Sequence, residues 1–372
     1  MSVPVPSTAP ARPRSRERAD APPADDADLA TLATLAASVV TAGLQAGLVA
    51  CGVASAGPLL DTRAVLEERK AAGLSSTMAF TYRNPERSTD PSRIVPGAAA
   101  VVVGAWPYAT EAPPAPLAPA GRVARYAWQD HYGALKEALG VCAQVLLEGG
   151  YTARVVADDN ALVDRAIAHR AGIGSFGKNA NVLVPGHGSW VVLGAVVTDA
   201  PLPAAAQPVA DACGACRRCI DHCPTEAIVA PGVVDARRCL AWIVQAPGSI
   251  PEEYRAALGD RIYGCDDCQE VCPPNRRAAS TEASGGVDGA WVDLVDLLSA
   301  DDAALLERHG RWYIGNRDPR HLRRNALVAL GNVADPRDWR VAAVLDRFGE
   351  GDDDMLAEHA EWARRRMHER PA

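Results

Sequence analysis

Apolar residues in the first two hundred positions repeat in two different patterns. Between residues 29 and 40 they recur at helical spacing, whereas short uninterrupted apolar runs farther along are typical of strands buried on both faces. The predicted elements are helices within 29–40, 133–147 and 162–171 and strands at 48–54, 98–104 and 190–197. Alternation of this kind indicates an α/β domain spanning residues 28–200.

Other patterns flank this domain. Residues 1–27 combine proline, arginine and acid with almost no large apolar side chain, so we expect a disordered tail. A linker at 201–212 opens a cysteine-rich region that extends over 201–280. Helical patterns resume beyond a loose polar stretch and include 322–331, which predicts a small helical domain at 290–372.

Composition narrows the classes of function. The 372 residues contain 48% hydrophobic side chains and carry a net charge of −8, which supports several cores but no global attraction to nucleic acid. Residues 29–60 have no charged side chain, as a membrane span would. They are rich in Ala, Gly, Thr and Ser and follow acidic residues, so we expect a cytoplasmic protein without a membrane segment.

Eight of the ten cysteines form two linked sets. One reads C-x2-C-x2-C-x3-C-P over 213–224, and the other places Cys239 before C-x2-C-x3-C-P over 265–273. Such spacing is typical of two 4Fe-4S clusters in which the last cysteine of each run binds the other cluster. The predicted ligands are Cys213, Cys216, Cys219 and Cys272 for one cluster and Cys223, Cys239, Cys265 and Cys268 for the second.

Two alternatives for these cysteines are less favoured. Structural zinc also uses C-x2-C pairs, but it does not need a third cysteine at x2 and a fourth at x3 before proline. Disulfides do not suit crowded cysteines in a chain without secretory features. Cys51 and Cys142 stand apart among apolar residues, and we expect them to be buried in the core.

Two further stretches suggest a ligand site. Residues 170–179 hold three glycines between a helix and a strand, which would let backbone approach a large polar ligand, although a simple tight turn explains them equally well. Asp130 lies among aromatic and imidazole neighbours at the head of a predicted helix. On spacing alone, a helix N-cap is the better explanation for it than catalysis.

The chain resembles the epoxyqueuosine reductases, a family of cobalamin-dependent iron-sulfur enzymes that complete queuosine synthesis in tRNA. The resemblance extends over about residues 45–340. It rests on YRNPER at 82–87, RYA at 125–127 with Asp130, AGIGSFGK at 171–178, GSW at 188–190, LG at 193–194, both cysteine sets including IYGCDDCQEVCP at 262–273, and RNALVALGN at 324–332. It implies a cobalamin-binding α/β domain, a ferredoxin-like domain with two 4Fe-4S clusters and HEAT-like helices.

The resemblance also implies roles for single residues. Asp130 matches the proton donor and a cofactor contact, and the other implied cobalamin contacts are Arg83, Asp158, Arg165, Gly174 and Lys178. This chain departs from the family pattern at 131–132, at 158–161 and in the loop 241–248. Because these departures lie toward the substrate, redox chemistry is the firmer expectation.

The implied reaction turns an epoxide into an alkene, which consumes two electrons and two protons and releases water. Cobalamin and the clusters would deliver the electrons, and an external flavodoxin- or ferredoxin-like protein would supply them. Asp130 would need a raised pKa, through burial or nearby negative charge, to hold a proton near neutral pH. Because the cofactor sites are self-contained, we expect a monomer.

The expected substrate is tRNA carrying epoxyqueuosine at the wobble position. Residues 308–324 contain six arginines, two histidines, Trp312 and Tyr313 against one acid, and Arg320, Arg323 and Arg324 are the predicted phosphate contacts. A solvated helix face is the alternative for this segment. A cobalamin-dependent reductase of a small molecule and a non-catalytic electron-transfer protein are the alternative functions.

Overall fold

The computed structural model describes residues 26–204, 207, 209–279 and 289–370. The disordered tail predicted at 1–27 lies outside these residues, except that Asp26 and Ala27 begin the first helix. Parts of the predicted linker at 201–212 and of the polar stretch after residue 279 also lie outside them. All eight cysteines of the two sets are described.

Every helix and strand predicted from the apolar patterns is observed. The α-helices are α1 Asp26–Gln45, α2 Leu60–Ala71, α3 Phe80–Arg83, α4 Pro85–Ser88, α5 His131–Glu148, α6 Asp164–Arg170, α7 Arg218–Asp221, α8 Leu240–Ile243, α9 Glu252–Leu258, α10 Asp267–Glu270, α11 Pro273–Ala279, α12 Leu294–Ser299, α13 Asp302–His309, α14 Arg320–Val333, α15 Trp339–Gly349 and α16 Asp354–Glu369. The strands are β1 Ala50–Ser55, β2 Ala100–Pro107, β3 Ala120–Val123, β4 Ala153–Ala157, β5 Ser175–Phe176, β6 Val182–Leu183, β7 Val191–Thr198, β8 Ile228–Ala230, β9 Val233–Val234, β10 Arg261–Tyr263 and β11 Trp291–Asp293. Three 3₁₀ helices span Pro91–Arg93, Arg125–Ala127 and Gly315–Arg317.

The principal sheet has the order β1-β2-β7-β4, and all its neighbours are antiparallel. Helices α1 and α5 pack on one face and α6 on the other, so each face has its own apolar core. The central strands are continuous apolar runs because both faces are covered, although the sheet is not parallel.

A pair of facing glycines lets α5 approach this sheet closely. Gly104 of β2 lies opposite Gly194 of β7. A Cβ on Gly104 would lie 2.7 Å from a Leu48 methyl carbon, and one on Gly194 would lie 2.8 Å from a methyl of Leu139 in α5. A side chain at either position would therefore overlap the leucine side chains that pack on this face of the sheet.

Helix α1 lies outermost on this side of the sheet. By length and composition alone its segment Ala27–Gln45 could cross a membrane, and 17% of that window is buried. The helix packs against α5 and β1, and its Val39 is fully buried. Part of the helix therefore belongs to the apolar core on this face of the sheet.

A smaller sheet connects three separate parts of the chain. Its order is β10-β3-β11, with β10 parallel and β11 antiparallel to β3. One apolar core continues from this sheet into helices α12 to α16. The cysteine-rich part, the α/β part and the C-terminal helices therefore share packing contacts.

Candidate redox site

The first predicted cysteine set surrounds one cavity. Cys213, Cys216 and Cys219 line it together with Cys272, which lies 53 residues beyond Cys219 in the sequence. Burial is the main cause that raises the pKa of Cys272 to about 11, and the other three thiols of the set contribute to this rise. Since thiolates repel one another when they converge, a cationic iron core would stabilise them there.

The second set is assembled in the same way. Burial is the main cause of the raised pKa of Cys268, and Cys265 and Cys239 add to it. Cys239 in turn has a pKa raised by burial and by Cys223. These four thiols therefore lie within electrostatic range of one another. Cys219, of the first set, also raises the pKa of Cys268, so the two sets are close to each other.

Four cysteine thiols are the usual ligand set of a 4Fe-4S cluster, and each of the two sets supplies four. Within the described ranges, no three His, Cys, Asp or Glu side chains converge closely enough to hold one metal ion. Four sulfurs on one zinc would lie within about 4 Å of each other, given zinc–sulfur bonds of about 2.3 Å. A cubane of four irons and four sulfides holds its ligands farther apart, so the donor set fits 4Fe-4S clusters.

The glycine-rich turn lies against the first cysteine set. The Lys178 ammonium donates to the carbonyl oxygens of Gly214, at 2.7 Å, and Cys216, at 2.9 Å. A Cβ on Gly174 would lie 2.4 Å from Val182 in the partner strand, so close strand packing explains this glycine. The turn therefore supports the cysteine loop, which the sequence alone did not indicate.

Polar groups also gather where β4 ends and α6 begins. Asp158 has a left-handed φ of 54°, and its pKa is raised mainly by burial. Burial raises the pKa of Asp164 to about 8, with smaller contributions from neighbouring carboxylates. The positive charge of Arg165 opposes that rise and also lowers the pKa of Cys239, so Arg165 is within electrostatic range of both Asp164 and the second cysteine set.

Among the residues that the structure describes, three buried polar atoms near this point lack hydrogen-bond partners. They are Asp164 Oδ1, Ser175 Oγ and Asn179 Nδ2, and the last two belong to the glycine-rich turn that packs beside α6. An unpaired buried polar group costs about 1–3 kcal/mol. A ligand rich in amide groups, such as the corrin ring of cobalamin, could pair with all three.

Arg125 joins the α/β part to the cysteine motif. Its backbone amide donates to Asp266 at 2.8 Å, and its guanidinium donates to Glu270 at 2.8 Å. The guanidinium also lies over the Trp190 ring, 4.7 Å from its centre. Burial raises the pKa of Asp266 to about 6 even though the nearby arginine opposes that rise. No role for Arg125 was predicted, because spacing does not reveal a contact between residues 141 positions apart.

The same junction is fastened by a buried amide network. The Ser189 amide donates to Asn275 Oδ1 at 2.6 Å, and Gln269 donates to the Ser189 carbonyl oxygen at 3.0 Å. Gly188 has a φ of 60°, and a Cβ there would lie 2.1 Å from Asn275. The Gly-Ser-Trp segment is thus explained by close packing on the cysteine motif.

Asp130 is exposed and caps α5. Its side chain accepts a hydrogen bond from the Gly133 amide at 2.9 Å. Burial of this side chain, one of the two features expected of a proton donor here, is not observed in this conformation. Exposed Arg311 donates to the carbonyl oxygens of Ala127, Trp128 and Gln129, so the loop that precedes Asp130 is held by the C-terminal part of the chain.

The predicted phosphate contacts separate into buried and exposed side chains. Arg324 is 1% exposed and donates to backbone carbonyl oxygens of the loop 243–248, which contradicts a direct phosphate contact. Arg323 is 9% exposed and pairs with Asp302. Arg320 is exposed but pairs with Asp318 and Asp353. Asp302, Asp318 and Asp353 therefore neutralise part of the positive charge of this basic segment.

Arg83 ends α3 and is exposed. Within the residues the structure describes, its guanidinium has no hydrogen-bond or ion-pair partner. It is available to an anionic ligand, but no contact joins it to the polar groups around Asp164.

Comparison with known proteins agrees with this geometry. Residues 212–275 match the 4Fe-4S double cluster binding domain family. An epoxyqueuosine reductase of Bacillus cereus is 33% identical over 330 residues, covering 85% of each chain. One of Xanthomonas campestris is 35% identical over 344 residues, covering 88% of this chain and 95% of its own.

Solved structures give the same result. A crystal structure of epoxyqueuosine reductase with an epoxyqueuosine-modified tRNA-Tyr stem loop has a TM-score of 0.81 and 28% identity, covering 90% of this chain and 91% of its own. The Bacillus subtilis enzyme, with its catalytic aspartate loop swung out of the active site, has a TM-score of 0.81 and 27% identity over the same shares.

The mixed α/β fold and its double-cluster domain define this protein as an iron-sulfur oxidoreductase. More narrowly, the chain belongs to the epoxyqueuosine reductase family.

Proposed function

We propose that this protein reduces epoxyqueuosine to queuosine at the wobble position of tRNA. The observation that carries the proposal is the gathering of Cys213, Cys216, Cys219 and Cys272 around one cavity in a chain of this family. The two crossed sets would hold two 4Fe-4S clusters, with Cys223, Cys239, Cys265 and Cys268 as ligands of the second. The solved relative with a modified tRNA stem loop supports tRNA as the substrate.

The polar groups around Asp158, Asp164 and Arg165 would hold cobalamin. The unpaired atoms of Asp164, Ser175 and Asn179 fit the amide groups of that cofactor. Bound there, it would supply the electrons that remove the epoxide oxygen, which leaves as water after two protons are added. Arg165 would balance the negative charge that accumulates between the acids and the second cysteine set.

Asp130 would deliver one of the protons. In the described conformation its carboxylate caps α5 at the surface, next to the loop that Arg311 holds. A loop with the catalytic aspartate outside the active site is known from the Bacillus subtilis relative, which supports an inward movement of this loop when RNA binds.

Arg320 is the proposed phosphate contact that geometry still allows. An RNA phosphate would compete with Asp318 and Asp353 for the Arg320 guanidinium, so RNA must displace part of this ion-pair network. The Asp335-Pro-Arg337 segment repeats the Asp318-Pro-Arg320 geometry on the next helix-to-helix turn. Arg320→Gln should therefore weaken RNA binding and flatten its salt dependence, while Arg337→Gln should do neither.

The remaining proposals concern the protein as a whole. We propose division into an α/β cobalamin domain at 28–200, a ferredoxin-like domain at 201–280 and a HEAT-like domain at 290–372. An external flavodoxin- or ferredoxin-like protein would reduce the clusters. The protein would act as a cytoplasmic monomer.

The test uses protein that is purified and reconstituted anaerobically. About eight irons, eight sulfides and one corrinoid per chain are expected. With a low-potential reductant, the protein should convert epoxyqueuosine in an anticodon stem loop to queuosine, measured by mass spectrometry of the nucleosides. Corrinoid binding without conversion would favour a small-molecule reductase, and absence of corrinoid would favour an electron-transfer protein. Stoichiometric zinc would contradict the clusters.

A further inference from the structure

Two aromatic rings stand exposed beside the loop that carries Asp130. Phe80 is 38% exposed and Tyr313 is 44% exposed, and their ring centres are 5.0 Å apart at an angle of 53°. Behind them lies Trp242, 6.0 Å from Phe80 and edge-on to it. The rings come from α3, from the coil after α13 and from α8, so tertiary folding alone brings them together.

Two features of this aromatic cluster, Phe80, Trp242 and Tyr313, point to an absent ligand. Trp242 is 5% exposed, and its buried Nε1 donor has no hydrogen-bond partner in the described part of the chain. Phe80 has a φ of 22°, a backbone conformation that a non-glycine residue rarely adopts. Both cost free energy in the isolated chain, which is the usual sign of a functional surface.

The cluster is held firmly against the candidate redox site. The Tyr313 amide donates to the Tyr263 hydroxyl at 2.7 Å, and the neighbouring Trp312 stacks on the Tyr263 ring with centres 4.5 Å apart. Trp312 Nε1 also donates to the Ala127 carbonyl oxygen, three residues before Asp130. A planar group that stacks on Tyr313 would therefore lie next to the loop of the proposed proton donor.

Cationic side chains border the cluster. Arg317 follows Tyr313 by four residues and is exposed, with a left-handed φ of 53°. Arg83, three residues after Phe80, is exposed and unpaired among the described side chains. Exposed aromatic faces beside cationic groups suit single-stranded nucleic acid, because bases stack on the rings while phosphates meet the charges.

We propose that Phe80 and Tyr313 form a stacking surface for one unstacked base of the anticodon loop. This inference rests on the proposed tRNA substrate and adds the position at which a base is received. An unstacked base that lies on Tyr313 would keep the loop open while the modified nucleotide is turned toward the redox site.

The test measures affinity for a fluorescent anticodon stem loop by the reconstituted holoprotein. Phe80→Ala and Tyr313→Ala should each weaken binding by about 5- to 100-fold, the scale of one lost base-aromatic contact. Tyr313→Phe keeps the ring and should bind like the wild type. Trp339→Ala removes an aromatic side chain that is 76% exposed on α15, and it should have no effect. Because no charge is removed, the salt dependence should not change.

Corrinoid and iron contents are measured on every variant. Unchanged RNA affinity in Tyr313→Ala would overturn the proposal. So would a loss of RNA affinity in Trp339→Ala as large as that in Tyr313→Ala. A Tyr313→Ala protein that loses corrinoid but keeps its RNA affinity would also overturn it. If Phe80→Ala does not fold, the exposed Tyr313 still decides the question. If the wild-type protein reduces the stem loop and the variants bind it with normal affinity, the stacking surface is refuted but the proposed function is not. A wild type that neither binds nor reduces RNA would refute the proposed function as well.

Discussion

Asp130 has two possible roles, and substitution by asparagine separates them. As an N-cap, Asp130 accepts one hydrogen bond from the Gly133 amide at 2.9 Å. Asparagine caps helices about as well as aspartate, so Asp130→Asn should change the free energy of unfolding by only a few tenths of a kcal/mol. As a proton donor, Asp130 cannot be replaced by an amide. Turnover should then fall by about 100-fold or more, an increase of about 2.7 kcal/mol in the activation barrier.

A second N-cap provides the matched control. Asp301 caps α13 and accepts from the Ala304 amide at 2.8 Å, with the same spacing of three residues and a similarly exposed side chain. Asp301→Asn should have the same small effect on stability and none on turnover. Asp130→Ala loses the cap as well, at about 1 kcal/mol of stability, yet should turn over no more slowly than Asp130→Asn.

The assay is single-turnover reduction of an epoxyqueuosine stem loop by prereduced enzyme. Cofactor contents and unfolding temperatures are measured in parallel, so that lost activity can be separated from lost structure. A normal rate in Asp130→Asn would refute the proton-donor role and leave Asp130 as a cap alone. Equal losses in Asp130→Asn and Asp301→Asn would show that helix stability limits the reaction, which also contradicts the reasoning.

Three further predictions follow from burial and charge. Cys272→Ala and Cys213→Ala should each lower the iron content from about eight to about four per chain, and both should abolish the same cluster signal in EPR spectra. Cys268→Ala should abolish the other cluster signal. If Cys272→Ala and Cys213→Ala abolish different signals, the crossed assignment is contradicted. Arg324→Met should lower the free energy of unfolding by about 3 kcal/mol, measured by anaerobic denaturation, because it strands buried carbonyl oxygens; unchanged stability would contradict this structural role. The pKa of Asp164 is raised to about 8, so the protonated acid stabilises the fold at low pH and that contribution disappears as pH rises toward 8. Unfolding temperatures of the wild type should therefore fall more steeply between pH 5 and 8 than those of Asp164→Asn, and parallel curves would contradict this assignment.

The cysteine spacing could be interpreted from the sequence because cluster ligands obey local geometry. Short x2 steps place three thiols on one loop, and the structure brings Cys272 to the same cavity. The apolar runs likewise predicted β1, β2 and β7 of the principal sheet, whereas the edge strand β4 was not predicted. The sequence did not indicate that these strands are antiparallel, because strands covered on both faces have the same composition in either direction.

The arginine-rich segment shows where local patterns stop being informative. In sequence, Arg324 and Arg320 look alike, but α14 turns Arg324 onto a loop about 80 residues earlier in the chain. Asp164 was missed for a related reason, because its raised pKa arises from burial by residues distant in sequence. Contacts of this kind leave no periodic signal.

The small sheet has a consequence for synthesis on the ribosome. Strand β3 pairs only with β10 and β11, and Arg122 meets Asp260 across 138 residues of chain. At about 5–20 residues per second, β3 emerges roughly 7–30 s before its first partner. During that interval both of its edges are open to other chains, and the intervening thiols emerge in turn without their partners. Delivery of iron and sulfide must therefore keep pace with translation, or follow it under the protection of a chaperone, if the nascent chain is not to aggregate.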